Sequence, residues 1–477
     1  MKRPGNAIRP CRTCSIKAER RADTRGSYYV PHTRYNYENQ PLRQNLRLVI
    51  NLVNQAADDS YRTKYGITRS SILLELRSIH FPRSFPADIM HCVLSNITPF
   101  LYRLWNSTKL KIDDPKTRGG YVDRFPELPS YRLRDTELRT IGSALTKSRS
   151  QIPVSIAHTP RRIDRDYTGF KAKEWEAWLL RFGTFLLDGI LPNEYLANFR
   201  ILGRLYSLAT QYELTESDIP RIQELAEEFV RTYEKLYYRG EPERLQVCTV
   251  QIHYLLHYSD YIQDLGSARL FWQFFMERMN GIIKPKARSK SQMHASVSNG
   301  VLVAEHLNHL TFILSPDEPT SIDDTPLPRL SGIFNASLTT IQRARIEYAV
   351  DYRLGEPPFF KHCYLRNDLT IGSRKSQRRD DINRASHRIC YHEPGIQEWQ
   401  FGEVEFFIDA AGSGRWAYIK SFTNVNIDRG RRIATYNGTG TARWIRIEWI
   451  KSLIGVLHKG STGSVDCIIT DIDIFGQ

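Results

Sequence analysis

Two thiols and two imidazoles stand at opposite ends of a long interval in this chain. Cys11-x-x-Cys14 presents a thiol pair at knuckle spacing, and His253-x-x-x-His257 places two imidazoles four residues apart. A spacing of four puts both rings on one helical face, one turn apart. Read separately, each half has an ordinary explanation: two reduced thiols, and a polar or core histidine pair. Read together, two Cys and two His form a closed tetrahedral zinc set of the structural type. Were the halves to meet, the ion would clamp the N-terminal knuckle to the downstream helix. Zinc-finger sites contribute roughly 10–16 kcal/mol of apparent binding, so metal loss would unfold that junction.

Three further groups have residue types suited to chemistry. Glu277 lies in FWQFFMERMNGIIK, residues 271–284, an apolar helical pattern. A carboxylate buried in such surroundings needs a partner, because desolvating it alone is costly. Arg278 or another base would serve, and so would a divalent cation of the kind that holds a scissile phosphate. Composition favours the ion pair. Asp88 and His91 stand in D-I-M-H. Asp88 suits an N-cap, and His91 either a metal ligand or a core histidine, with spacing favouring the core. Lys284, Lys286, Arg288 and Lys290 follow the glutamate segment as a basic run. Charge runs are usually solvated surface, but this one, with Arg278, lies where a phosphate backbone would pass. A second run, Arg374 to Arg379, suits DNA contact or nuclear import.

The elements that must position these groups are legible in outline. The 477 residues allow for roughly two to four domains. Helical spacing appears at 43–57 and from Asp88 to Trp105, where Pro99 would kink or restart the helix. Residues 107–167 read as a loop-dominated connection, and 170–314 as the strongest helical block. Its helices are expected at 170–187, 193–212, after the capping-box-like Thr215–Asp218, at 246–265, 271–283 and 297–314. Residues 315–345 read as a linker. Strand signals then dominate at 403–408, 416–422, 444–450, 452–457 and 465–469.

Composition narrows the function classes. A 41% hydrophobic content with 11% aromatics supports real cores. A net charge of +15 makes an acidic polymer, usually nucleic acid, a fitting partner, although the excess is diffuse. Seven cysteines are too few and odd in number for a disulfide scaffold, so reduced thiols are expected, in cytosol or nucleus. No apolar run is long enough to span a membrane, and the N-terminus lacks a secretory h-region. G-x-S-x-G, P-loop and HExxH motifs are missing, which argues against an ordinary hydrolase.

Taken in order, the motifs resemble those of CACTA (En/Spm-like) cut-and-paste DNA transposases, fungal type, over about residues 5–315. GITRSSILLELRSIHFPRSFPADIMHCVLSNITPFLYRLW is similar to the family's "FP-x-D-x-MH" segment. VQIHYLLHYSDYIQDLGSARLFWQFFMERMNGIIKPKARSKSQ resembles its helical domain, where H-x-x-x-H precedes "W-x-x-F/P-x-E-R-x-x-G-x-x-K". NAIRPCRTCSIKAE resembles the CxxC that follows the family's second catalytic aspartate. The resemblance implies an RNase H-like core with an Asp-Asp-Glu triad and Mg²⁺, Glu277 standing at the final glutamate. It implies one Zn²⁺ site from Cys11, Cys14, His253 and His257, and places the family's D-x-x-H on Asp88 and His91, role open. The second aspartate should closely precede the CxxC, yet only ten residues precede Cys11 and none is acidic. Both aspartates are therefore expected to be missing, with Mg²⁺ serving only a full-length catalytic form.

The expected fold class is α+β. A mainly helical transposase C-terminal region, remnant of an RNase H-like core with a helical insertion, precedes a small all-β barrel-like domain. The segments are 1–65 (knuckle and basic arm), 66–167 (helical insertion and loops), 168–315 (helical domain with HxxxH and Glu277), 316–350 (linker) and 351–477 (β domain). The resemblance implies a truncated nuclear transposase that retains DNA binding without catalysis. The alternative is a domesticated, non-catalytic nuclear protein that binds DNA or chromatin. The β domain is expected to serve protein partners. Trp416, Trp444 and Trp449 suit either a peptide surface or, more commonly, a core.

Overall fold

A computed structural model of the chain describes residues 8–9, 11–14, 16–20, 26–32, 72–80, 83–106, 109–111, 122–124, 129–157, 161–289, 291–314, 328–350, 357–366, 369–376, 386–410, 413–429, 432–458 and 466–470. The helix expected at 43–57, Lys290 and residues 377–379 lie outside this set. The chain divides into two units, Met1–Leu138 with Tyr167–Phe274, and Arg139–Asp166 with Phe275–Gln477. The unit boundaries fall after Leu138, Asp166 and Phe274, the second of them next to the sequence boundary at 167.

The first unit is helical. Helix α1 opens as a π-wound segment, Met90–Ile97, and continues as Thr98–Asn106. The Thr98 N–H reaches back to the Val93 carbonyl, five residues earlier, so Pro99 enters at the start of a fresh α-helical turn. There its missing N–H costs nothing, and the helix restarts instead of breaking. The chain leaves the unit through α2 (Asp135–Lys147) and re-enters it at Tyr167. Helix α3 is continuous through Ala172–Ala177, Trp178–Phe182 and Gly183–Leu186, ending at Gly189 with φ +71°. Helices α4 (Asn193–Ala209) and α5 (Asp218–Tyr233) pack together, and buried Asn198 ties them by donating to the Phe229 carbonyl at 3.1 Å. The α5 stripe Ile222, Leu225, Phe229, Tyr233 is buried as its periodicity requires. Tyr131, Tyr195, Tyr233 and Tyr237 form a ring cluster beneath Trp105, whose indole donates to the Tyr237 hydroxyl at 3.0 Å.

The helix expected at 246–265 is interrupted. Val250–Tyr254 (α6) passes into a 3₁₀ turn, Leu255–His257, before α7 (Tyr258–Leu265) resumes. Helix α8 (Phe274–Ile283) carries the chain into the second unit, followed by α9 (Met293–Leu314).

The loop-dominated reading of 107–167 is corrected by α2 and by a two-stranded ladder, β1 (Lys109–Lys111) with β2 (Val122–Arg124). The linker reading is corrected too. Residues 328–350 contain β3 (Arg329–Phe334) and α10 (Thr340–Val350), and the Trp444 indole donates to the Gln342 carbonyl at 3.0 Å.

The second unit holds an antiparallel sheet. After β3 come β4 (Phe359–Arg366), β5 (Leu369–Gly372), β6 (Arg388–Tyr391), β7 (Gln400–Asp409), β8 (Arg415–Phe422), β9 (Asn426–Asp428), β10 (Ile433–Tyr436), β11 (Thr439–Arg446), β12 (Ile450–Leu457) and β13 (Asp466–Thr470). Its main path runs β11-β8-β7-β6-β12-β13-β10-β9, with β4 on β7 and β3 and β5 flanking β4. Among the described residues the path has two ends, so the sheet is open where a barrel was expected. Bulges at Val404/Phe406 and Ile450/Ser452 supply curvature without closure. The strand expected at 444–450 is the end of β11, a 3₁₀ turn and the start of β12. Trp416 and Trp444 are core, packed with Phe359, Phe406 and Ile408, which removes them as a peptide surface; Trp449 is half-buried. The 139–166 segment lies on β12, where a Cβ on Gly455 would sit 3.3 Å from the Ile152 backbone.

Charge inside this unit predicts acid sensitivity. His387 is buried 3.9 Å from Glu403, which Arg388 binds at 2.8 Å and Arg374 at 3.4 Å. Burial, with the neighbouring Arg388 charge, pushes the His387 imidazole down to about 4. Burial would raise the Glu403 carboxyl, but Arg388 outweighs it and holds it below the usual range. Below about 6.5 the unfolded histidine takes a proton that the folded one refuses, so stability falls as pH drops from about 6.5 to about 4. Glu403 adds a further loss as pH falls below the ordinary carboxylate range. Near-UV circular dichroism of urea-treated protein should show this loss, on the order of 1–3 kcal/mol. His387→Gln should flatten it, and an equal pH slope in that variant would refute the assignment.

Candidate metal centre

Among the described residues of the knuckle, a bridge pairs Glu19 with Tyr28 through N–H···O bonds of 2.7 and 2.9 Å. Ile16, Ala18 and Tyr29 pack with Cys11 and Cys14 against Val250 on α6. The Tyr29 N–H donates to the Cys248 carbonyl at 2.9 Å, and the Thr13 and Tyr261 hydroxyls meet at 2.6 Å. These contacts set the thiols against the α6–α7 corner.

There the four donors converge. Cys11 Sγ lies 3.4 Å from His257 Nε2, Cys14 Sγ 3.2 Å from His253 Nε2, and the two Nε2 atoms 3.1 Å apart. All four residues are buried and their donor atoms lie within 4.8 Å of one another. A tetrahedron with metal–sulfur bonds of about 2.3 Å and metal–nitrogen bonds of about 2.0 Å has edges of about 3.3 Å (N–N) and 3.5 Å (S–N). The observed edges match these to within a few tenths of an ångström. The backbone N–H groups of Thr13 and Cys14 both donate to Cys11 Sγ at 3.4 Å, the pattern that stabilises a thiolate at a knuckle.

Electrostatics prepare the donors for a cation. Burial alone would raise the Cys11 thiol, but the Cys14 hydrogen bond and the two histidines hold it well below its ordinary value. Burial keeps His253 neutral, pushing its imidazole down against the opposing pull of Cys11. A thiolate and a neutral imidazole are the forms a metal binds. On the far side of His257, Nδ1 lies 4.0 Å from the Asp260 carboxylate, an electrostatic neighbour beyond direct hydrogen-bond distance. The site can therefore hold one metal ion with a closed Cys₂His₂ shell, a structural type with no open position for substrate. The 3₁₀ turn inside HxxxH, and the tyrosines that wall the site, were not drawn from spacing. Tyr254, Tyr258 and Tyr261, spaced four and three apart in HYLLHYSDY, were the signal available.

The other sequence candidates fare differently. Asp88 is an N-cap and more: its carboxylate accepts the N–H groups of Met90 (3.1 Å), His91 (3.0 Å) and Gln273 (3.0 Å), and contacts the His91 ring. It fastens the start of α1 to the residue preceding α8. His91 is exposed, so its core reading is withdrawn. Glu277 is exposed as well, on a helix with no buried residue, so the desolvated-carboxylate argument fails. It belongs to the second unit and the Cys/His cluster to the first. Arg278, Lys284 and Arg288 are exposed. Lys286 is folded onto α9, its ammonium donating to the Gly300 carbonyl at 3.0 Å. Arg374 is engaged by Glu403 and Glu405. All seven cysteines are free thiols, and no helix among the described residues is long and apolar enough to cross a membrane.

Comparison of the chain with protein-family models, curated proteins and solved structures gives no match in any of the three.

Two outcomes follow from this geometry. Co²⁺ titration of chelated protein should give one tetrahedral thiolate-bound ion per chain. Cys14→Ser should remove that spectrum, and hydrogen exchange over 250–258 should rise sharply in the chelated form. An octahedral spectrum, or exchange indifferent to chelation, would count against the site. Asp88→Ala should lower stability by about 1–3 kcal/mol and speed exchange at Met90 and Gln273 without changing metal content. A loss of bound metal in that variant would show Asp88 to be tied to the centre.

Proposed function

We propose that this chain is a zinc-stapled nucleic-acid-binding protein of CACTA-type transposase descent, nuclear in location, that holds DNA without cutting it alone. The observation that carries the reading is the closure of Cys11, Cys14, His253 and His257 on one point, from motifs 239 and 246 residues apart. Two thiolates with two imidazoles suit Zn²⁺ better than Mg²⁺ or Ca²⁺, which prefer oxygen donors. That pairing is the one the resemblance implies.

Two further observations support it. Arg278, Lys284 and Arg288 present exposed cations on and just after α8, and the whole chain carries +15. Among the described residues, the Cys/His set is the one group of three or more His, Cys, Asp and Glu arranged for a metal. Glu277 therefore sits outside any carboxylate cluster there, and one carboxylate does not hold two Mg²⁺ ions in line. The second unit, with cores of its own, is a separate module for which a protein partner is the expected role. That is also the observation favouring the alternative, a domesticated chromatin-binding protein.

Duplex DNA titrated across a salt series should lose affinity with a log–log slope of about −0.9 per neutralised phosphate. Lys284→Ala with Arg288→Ala should reduce that slope by about two contacts. A flat salt response would sink the nucleic-acid reading, and a purified chain carrying Fe or no metal would sink the zinc assignment.

A further inference from the structure

We infer that the helical unit carries a stacking site for an unpaired nucleobase, centred on Tyr212; the inference rests on the nucleic-acid reading above and deepens it. Tyr212 follows α4 and is 85% exposed, far beyond what an aromatic ring adopts for packing. It is nevertheless held in place. The Arg269 guanidinium lies 4.1 Å from its ring centroid and 4.7 Å from that of Trp272. Trp272 meets Phe274 edge-on at 4.9 Å. The Lys173 ammonium stands 4.5 Å from Phe274 and 5.7 Å from Trp272, and also bridges Glu176 at 2.7 Å. Rings and cations thus form one continuous row: Arg269 is shared by Tyr212 and Trp272, and Lys173 by Trp272 and Phe274, which touch edge to face.

The row is built before any ligand arrives. Arg269 Nε donates to the Thr210 carbonyl, and Ser267 Oγ donates to the Gln211 carbonyl at 2.6 Å. These two bonds lock the loop after α7 to the turn after α4, so ring positions need no ordering on binding. A guanidinium covers one face of Tyr212, and its exposure leaves the other face to solvent. The next partner in such a stack is a flat π-system. Arg269 has five N–H donors, of which Nε is committed to Thr210, so its charge remains a partner for a phosphate. Stacking surface and positive charge together describe an unpaired nucleic-acid strand, since every base has a π-face and every link an anion. Duplex DNA hides its base faces, so this row selects unpaired bases. A protein aromatic or proline would use the ring but has no use for the cations.

The test uses the full metal-loaded chain and three labelled probes: an oligothymidylate, the same backbone with abasic residues, and a blunt duplex. Wild type should bind the oligothymidylate more tightly than the abasic strand. Tyr212→Ala should weaken the oligothymidylate alone by roughly five- to hundredfold, and Tyr212→Phe should retain it. Because Tyr212 is exposed, both variants should unfold at the wild-type midpoint. Equal binding of thymidylate and abasic strands, or no effect of Tyr212→Ala, would overturn the stacking site and leave the row to a protein partner; salt-dependent duplex binding would then still stand. Absence of salt-dependent binding to all three probes would sink the functional reading, and the stacking site with it.

Discussion

Two thiols and two imidazoles buried within reach of one another set the terms for the helical unit. The knuckle brings little else to the junction: one bridge, a few apolar side chains and a handful of hydrogen bonds. Joining it to the α6–α7 corner closes a loop of more than two hundred residues, whose entropic cost grows slowly but is not small. Grouped donors of this kind, at separations matching the edges of a tetrahedron, are held together far better by a shared cation than by each other. The break between α6 and α7 belongs to the same constraint. The 3₁₀ turn re-aims His257 so that its Nε2 meets that of His253 at 3.1 Å, the two rings standing edge to face.

Residue types that could do chemistry divide here into those absorbed by the architecture and those left outside it. Asp88 is absorbed, its oxygens taken by three backbone N–H groups and a histidine ring. A carboxylate so engaged positions helices and has little capacity left for an ion. Lys286 is absorbed as well, filling the space that Gly300 leaves. Glu277 stays outside, on an exposed helix whose Phe275 is 65% exposed. Large apolar side chains continue along α9, at Leu302, Val303, Leu307 and Leu310.

The sheet unit spends its charges internally. Arg374 and Arg388 converge on Glu403, with Glu405 and Lys420 continuing the network along β7 and β8. Paired in this way, they add little to the diffuse positive charge available to a polyanion. Partial burial makes the network dependent on protonation, with His387 as its most sensitive member.

What the sequence offered by itself was the four candidate donors, Cys11, Cys14, His253 and His257, and the succession of a helical block by a strand-rich one. Thiol and imidazole spacing survive translation into space because four residues make about one helical turn. Four of the strands, β7, β8, β12 and β13, were legible from their apolar runs, as at 416–422 and 452–457, and so was the buried stripe of α5; β3 to β6, β9 and β10 were not. Burial was not legible. Phe275 and Met276 have the same composition inside or outside a core, so an apolar run around Glu277 looked like desolvation when the helix is exposed. Nor could periodicity reveal that residues 139–166 pack on β12, that the sheet stays open, or that Trp416 and Trp444 face inward. Those outcomes depend on contacts between residues distant in the chain, and only the tertiary structure decides them: local pattern fixes which face of an element is apolar, and not what, if anything, covers it.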